Sequence, residues 1–368
     1  VPAGLSFLLS NTDLNARGFG VRAAFGSVAQ AREALAAGTV DFVGGALGFD
    51  TGGPASLITP ERVDFSPAAT PATVDGSVVA EVSVTPDSVH RERVVRALDA
   101  IASGAAEKVV VARSLDASLT RAVEPAELIG RFTATAGGST VFAADLSAAP
   151  GHDGNWLIGA SPELLLRKRG SILQCVPYAG SAPKFDAAGR PVPNAAEELS
   201  RSAKDLREHA YVVDYLRDLL QPLCSRIAIP DRPQTISTNH VWHLATPITG
   251  ELADPTITAL ELAALLSPTP AVCGTPTEAA ARIIEEVEGP REFYAGTVGW
   301  CDAAGDGEWV VSIRCLELDS SRTKVSAWAG GGIVAGSDPD AEVAETTAKF
   351  QTVLSALADA DRPVRADA

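Results

Sequence analysis

The sequence predicts an α+β protein: a large sandwich of antiparallel β-sheets covered by helices. Strand-like runs come in pairs around turn residues, which implies hairpins and antiparallel sheet. Helical runs are fewer and longer, and each carries an apolar stripe at helical spacing. Hydrophobic residues make up 46% of 368 positions, enough for a sizeable core.

The strand runs begin with "AEVSVTP" and "EKVVVARSL", followed by "STVFAADL". "LLLRKRGSILQCV" reads as a hairpin turning at Arg169, Gly170 and Ser171. "VGWCDAAGDGEWVVSI" reads as a second, turning at Ala304 to Gly307. "TKVSAWAGGGIV" is the last strand run. Among the helices, "SVHRERVVRALDAIASG" places Val94, Val95, Leu98 and Ile101 on one stripe and stops at Gly104. "SAKDLREHAYVVDYLRDLLQPL" repeats Leu206, Ala210, Val213, Leu216 and Leu220. "PTITALELAALLSP" and "TPTEAAARIIEEVEG" are shorter. The final helix, "DPDAEVAETTAKFQTVLSALAD", buries Val343, Phe350, Val353, Leu354 and Leu357. A Pro- and Ala-rich linker, Pro67 to Ser77, is expected to separate an N-terminal lobe (residues 1–85) from a catalytic region (residues 86–368). Pro183 to Glu197 reads as an exposed loop.

A net charge of −16 argues against nucleic acid or an anionic membrane as the main partner. A small anionic substrate stays open, because a local cluster of Arg, Lys and metal overrides global charge. The five cysteines are dispersed, with no C-x-x-C spacing, and read as reduced thiols. No run has the length and apolarity of a membrane span or an export signal, so a cytoplasmic location is expected. No dimer surface is apparent and a monomer is expected.

Several chemistries drop out on motif grounds. The triple glycine Gly330 to Gly332 is not followed by Gly-Lys-Ser/Thr, and no G-x-G-x-x-G, H-E-x-x-H or G-x-S-x-G occurs. Acidic pairs at helical spacing remain. Asp205 and Glu208 lie three apart on one predicted helix, as do Glu342 and Glu345 on the last, with Lys349 a turn beyond. Two such faces suit a hard cation such as Mg²⁺, or else form ordinary solvated faces. Lys108 opens a valine-rich strand and shares its side with Val110 and Ala112. Such a lysine either lifts its head into water or is desolvated enough to lose its proton and act as a base.

Eight segments, among them "GASPELLLRK", "PYAGS", "SAKDLREH", "LSPTPAVCGTP", "AGGGIVAGSDP" and "ETTAKF", resemble the chorismate-utilising enzymes in consistent order from residue 90 to 358. That family includes isochorismate, salicylate, anthranilate and aminodeoxychorismate synthases. The resemblance implies the family's α+β sandwich, a requirement for Mg²⁺, and chorismate as substrate. It implies that Lys108 is the base of a hydrating member and Glu163, in "SPELLL", the general acid. Aminating members carry glutamine in place of Lys108, so no glutaminase subunit is expected. Glu208 and Glu345 match the metal carboxylates, with Asp205 and Glu342 beside them. Arg314 and Tyr294 match positions that hold the enolpyruvyl carboxylate. Gly180, Ser181, Gly330 and Gly332 match backbone contacts to substrate. Lys349 matches a lysine near the ring carboxylate, and His243 a histidine beside the ring.

Within the family the flanking motif "VGWCDAAGDGEWVVSIRC" and Ser181 point towards the isochorismate-forming members. Tyr294 points towards the salicylate-forming ones, in which pyruvate elimination follows. A catalytically inactive binding relative would be expected to have lost Lys108, Glu163 or Arg314, and all three are present.

Overall fold

The computed structural model describes residues 4–50, 52–66, 76–185, 190–238 and 241–358. Two large sheets dominate it, and every strand pairing is antiparallel. The first has ten strands in the order β18 (Gly274–Thr275), β8 (Lys108–Leu119), β22 (Lys324–Val334), β21 (Cys315–Leu318), β10 (Trp156–Ser161), β9 (Thr140–Asp145), β1 (Leu5–Ser10), β2 (Asn15–Phe19) and β6 (Arg62–Ser66), with β7 (Val79–Val84) on β8. The second has nine: β14 (Cys224–Ala228), β17 (Ile248–Leu252), β12 (Ile172–Val176), β11 (Leu164–Arg169), β20 (Gly307–Val311), β19 (Thr297–Asp302), β4 (Phe42–Leu47), β5 (Ala55–Thr59) and β3 (Ala23–Phe25). A small third sheet joins β13 (Tyr178–Pro183), β16 (Val241–Ala245) and β15 (Gln234–Ser237).

The helices are α1 (Val28–Ala36), α2 (Asp87–Ala102), α3 (Pro125–Thr135), α4 (Ala195–Arg201), α5 (Ala203–Leu220), α6 (Ala259–Leu266), α7 (Thr277–Glu288) and α8 (Pro339–Leu357). Both predicted hairpins form, as β11–β12 and β19–β20. The stretch before the predicted linker adds strands to both large sheets. Most of that linker, residues 67–75, lies outside the described residues, as do 186–189 of the predicted loop. The loop also ends sooner than expected, since Ala195 already opens α4.

The main core lies between the two large sheets. Val109, Val111 and Phe142 from the first meet Val43, Leu166 and Trp309 from the second. A second core sits under α3 and α8, on the outer face of the first sheet. The period-2 alternation of β8 sends Val109 and Val111 into the main core. Lys108 and Val110 therefore point the other way.

Two helical stripes differ from expectation. In α2, Val95 is 45% exposed, and His90, Val94 and Ala97 face inwards. In α5, Ala210 is exposed and Leu206 half-buried, while Glu208 and His209 are buried. Polar groups take an inward face when partners are waiting there. His209 Nδ1–H donates to Ala179 O at 3.1 Å, and its Nε2 accepts from the Thr246 hydroxyl at 2.7 Å. Burial lowers the His209 pKa to about 4, in keeping with this neutral ring.

Candidate active site

The site is built on the glycines of β22. They pair with β8, Gly332 opposite Val110 and Gly330 opposite Ala112. Missing side chains, rather than unusual torsions, explain them. A β-carbon at Gly332 would lie 2.1 Å from Glu208 Oε1, and one at Gly331 would lie 2.7 Å from Glu342 Oε2. One at Gly330 would stand 3.2 Å from the Tyr294 hydroxyl. The glycine run thus lets carboxylates from two helices lie against strand backbone.

Those carboxylates arrive from helix N-termini. Ser202 caps α5 by accepting from Asp205 N–H, which sets Asp205 and Glu208 in the first turns. Asp338 caps α8 by accepting from Ala341 N–H, with Pro339 in the first turn, ahead of Glu342 and Glu345. Asp205 also backs Gly180, whose φ of +77° suits glycine.

Each glutamate meets a lysine. Lys108 Nζ is 3.1 Å from Glu208 Oε1, Lys204 Nζ is 3.0 Å from Glu342 Oε1, and Lys349 Nζ is 2.5 Å from Glu345 Oε1. Lys349 also donates to Gly330 O at 2.7 Å, and the Ser181 hydroxyl donates to Glu345 Oε1 at 2.8 Å. Burial, and then the charge of Glu345, push the Glu342 carboxyl up to about 7. Burial works the same way on Glu345, but Lys349 outweighs it and holds that carboxyl below its usual range. Burial and neighbouring carboxylates raise Asp205.

Among the described residues, no three His, Cys, Asp or Glu side chains converge closely enough to hold an ion unaided. The donors nonetheless fit a hard divalent cation. They are carboxylate oxygens whose mutual repulsion a cation relieves, and Glu342 Oε2 is buried with no hydrogen-bond partner.

Lys108 is fully buried. Its head does not reach water, and its amine has no hydrogen bond of acceptable geometry, despite the nearby Glu208. Glu163 is buried too. Its N–H donates to the Ser161 hydroxyl at 3.2 Å. Burial drives its carboxyl up to about 8, against the pull of the Tyr178 backbone N–H and of Lys108.

The far wall carries Arg314, His243, Tyr294 and Trp328. Arg314 is buried and pairs with no carboxylate among the described residues. Its contacts are the Thr352 hydroxyl at 3.5 Å and His243 Nε2 at 3.4 Å. Burial lowers its pKa to about 10, which still leaves it charged at neutral pH. Its φ of +54° is rare for a residue with a β-carbon, and such torsions cluster where function fixes a side chain. Burial, then Arg314 and Lys349, hold His243 neutral. Tyr294 stacks on Trp328, ring centroids 5.6 Å apart.

One cleft, about 650 Å³ including its open mouth, is lined by Glu163, Gly180, Ser181, Glu208, His243, Tyr294, Arg314, Gly330, Gly332, Glu345 and Lys349. Lys108, Asp205 and Glu342 stand behind this wall, in contact with Glu208, Gly180 and Lys204 respectively. Sequence reasoning passed over Lys204, His209, Gly331 and Trp328. All four stand inside or beside recognised motifs, Trp328 directly before "AGGGIVAGSDP".

Residues 61–358 match the sequence profile of the chorismate binding enzymes. The chain belongs to that family. It is 44% identical over 353 residues to MenF of Mycobacterium tuberculosis, covering 92% of each chain. It is 41% identical over 323 residues to isochorismate synthase DhbC of Bacillus subtilis, covering 85% of this chain and 80% of that one. The crystal structure of DhbC from Bacillus anthracis superposes with a TM-score of 0.87 at 35% identity, covering 97% of each chain. No helix among the described residues is long and apolar enough to cross a membrane.

Proposed function

We propose that this enzyme isomerises chorismate to isochorismate, adding water at C2 and expelling the C4 hydroxyl. The observation that carries the reading is a buried lysine with no hydrogen bond of acceptable geometry, held behind Glu208 in the wall of the cleft that the buried Glu163 also lines. Hydration with allylic loss of hydroxide needs a base for the incoming water and an acid for the departing oxygen. Lys108 takes the proton from water as its oxygen bonds to C2. The ring double bonds shift, the C4–O bond breaks, and Glu163 supplies the proton that lets the oxygen leave as water. One water enters and one departs, so the product is an isomer.

Arg314 supplies a planar fork for the side-chain carboxylate of the substrate. Mg²⁺ would be held by Glu208 and Glu345, with Asp205 and Glu342 beside them. When bound it neutralises the ring carboxylate and draws off charge as the ring electrons move. A lysine rather than glutamine at position 108 favours water over ammonia, so no glutaminase subunit is required. The test is chorismate and Mg²⁺ with purified protein, products separated by chromatography. A stationary mixture of chorismate and isochorismate supports the reading, and salicylate accumulating as chorismate disappears overturns it.

A further inference from the structure

The strand that carries Lys108 has an uncovered edge, closed by side chains. On one side β8 pairs with β22 from Lys108 to Ser118. On the other, β18 covers only Lys108 and Val109, and β7 begins at Leu115. The gap from Val110 to Ser114 would leave buried backbone groups unpaired, which is costly.

Outside contacts fill the gap residue by residue. Val110 N–H donates to Cys273 O at 2.8 Å, and Val110 O accepts from Arg291 Nη2 at 2.8 Å. Ala112 N–H donates to Glu288 Oε1 at 2.6 Å, and Ala112 O accepts from Arg93 Nη1 at 2.9 Å. Ser114 completes the edge through Thr85. Arg291 and Glu288 are central to this substitute strand. Arg291 Nε and Nη2 donate to Glu288 at 3.0 and 2.8 Å, and Nη1 donates to Val272 O at 2.7 Å. The guanidinium also lies 5.6 Å from the Tyr294 ring. One buried pair thus ties three parts of the cleft together: Val110 beside Lys108, the Val272 loop and Tyr294.

We propose that Arg291 and Glu288 form a positioning pair that fixes the aim of Lys108 and the seat of Tyr294 without touching substrate. Its effect on turnover rests on the role assigned to Lys108. The pair reaches the chemistry through backbone, since Val110 is two residues along the strand and on the same face as Lys108. Misplacement by about 1 Å can cost roughly 100-fold in rate.

The experiment uses the full chain with Arg291→Lys, Glu288→Ala and Glu288→Gln, read by amide hydrogen exchange and steady-state kinetics. Arg291→Lys keeps a buried cation but loses the fork. Glu288→Gln keeps an acceptor for Ala112 N–H, so it provides a folded variant if Glu288→Ala does not fold. The expected result is faster exchange confined to residues 108–114 and 269–274, with kcat lowered about 10–100-fold in Arg291→Lys and Glu288→Ala. KM should move far less than kcat, and Glu288→Gln should recover much of the loss. A lowered melting temperature with unchanged kcat in the folded variants would overturn the proposal, because it marks the pair as purely structural. Unchanged exchange in those segments would overturn it as well. If the wild type made no isochorismate, the functional reading would fail, while the exchange pattern would still decide the clamp.

Discussion

Glu208 Oε1 occupies the space that a side chain at Gly332 would need, 2.1 Å from the position of its β-carbon. The obstructing atom is the end of a side chain, so Gly332→Ala should fold and push the Glu208 carboxylate aside. Lys108 Cε, 3.0 Å from the same point, is crowded as well. Turnover should fall about 100-fold with little change in melting temperature. Wild-type rates in this variant would show that the glycine run has no part in seating Glu208.

Replacing Lys108 with methionine keeps an apolar stem of similar length and removes the amine. Hydration should fall by about 10²–10⁴-fold, the usual worth of a general base. Single-turnover measurements with isochorismate as the product check this. A rate within a few-fold of wild type would remove Lys108 from the chemistry.

As the proposed acid, Glu163 should set the alkaline limb of activity. Its carboxyl is raised by burial from its ordinary 4.5 to about 8, so the proton donor is present below that pH and lost above it. The rate should therefore decline as pH rises through about 8. The sign for stability follows from the same shift. Folding favours the protonated form, so this group costs stability progressively as pH rises from 4.5 to about 8. Glu163→Gln should abolish turnover yet melt higher than wild type at pH 8. A variant that is active, or less stable there, contradicts the assignment.

Arg314 has no acidic partner among the described residues, as expected of a group reserved for a substrate carboxylate. Arg314→Lys retains charge and loses the fork. Its KM for chorismate should rise about 10–100-fold, since hydrogen bonds to charged groups contribute about 1.5–3 kcal/mol. An unchanged KM would show that Arg314 serves the fold instead.

Metal removal has a readout independent of turnover. With Mg²⁺ present, the cluster of Glu208, Glu342 and Glu345 loses its repulsion, so the melting temperature should rise with Mg²⁺ concentration and fall back with a chelator. Glu345→Gln should flatten that dependence. Full activity in excess chelator would exclude the metal.

The sequence carried the architecture where local chemistry and tertiary need agree. The Gly170 turn between β11 and β12 and the alternation of β8 are of that kind. The α5 stripe misled because apolar spacing favours Ala210, whereas Glu208 and His209 turn inwards to partners on β8, β13 and the β16–β17 turn. Those partners lie far away in the chain, and periodicity contains no trace of them. The acidic pairs on α5 and α8 were readable as pairs, but their lysine partners were only partly so. Lys349 sits one turn from Glu345, whereas Lys204 reaches across to Glu342 from another helix. Arg291 and Glu288 lie three apart in the chain, and no motif marks them. Only the gap in β8 gives them a purpose.

The central claim is that water enters at C2 while the C4 oxygen departs. Running the reaction with Mg²⁺ in H₂¹⁸O and weighing the isochorismate by mass spectrometry tests it most directly. One ¹⁸O per molecule at C2 in early product, absent when Lys108→Met is substituted for wild type, is the predicted result. Early isochorismate that carries no label would mean that the hydroxyl migrates within the ring, and would contradict a base-and-acid hydration by Lys108 and Glu163.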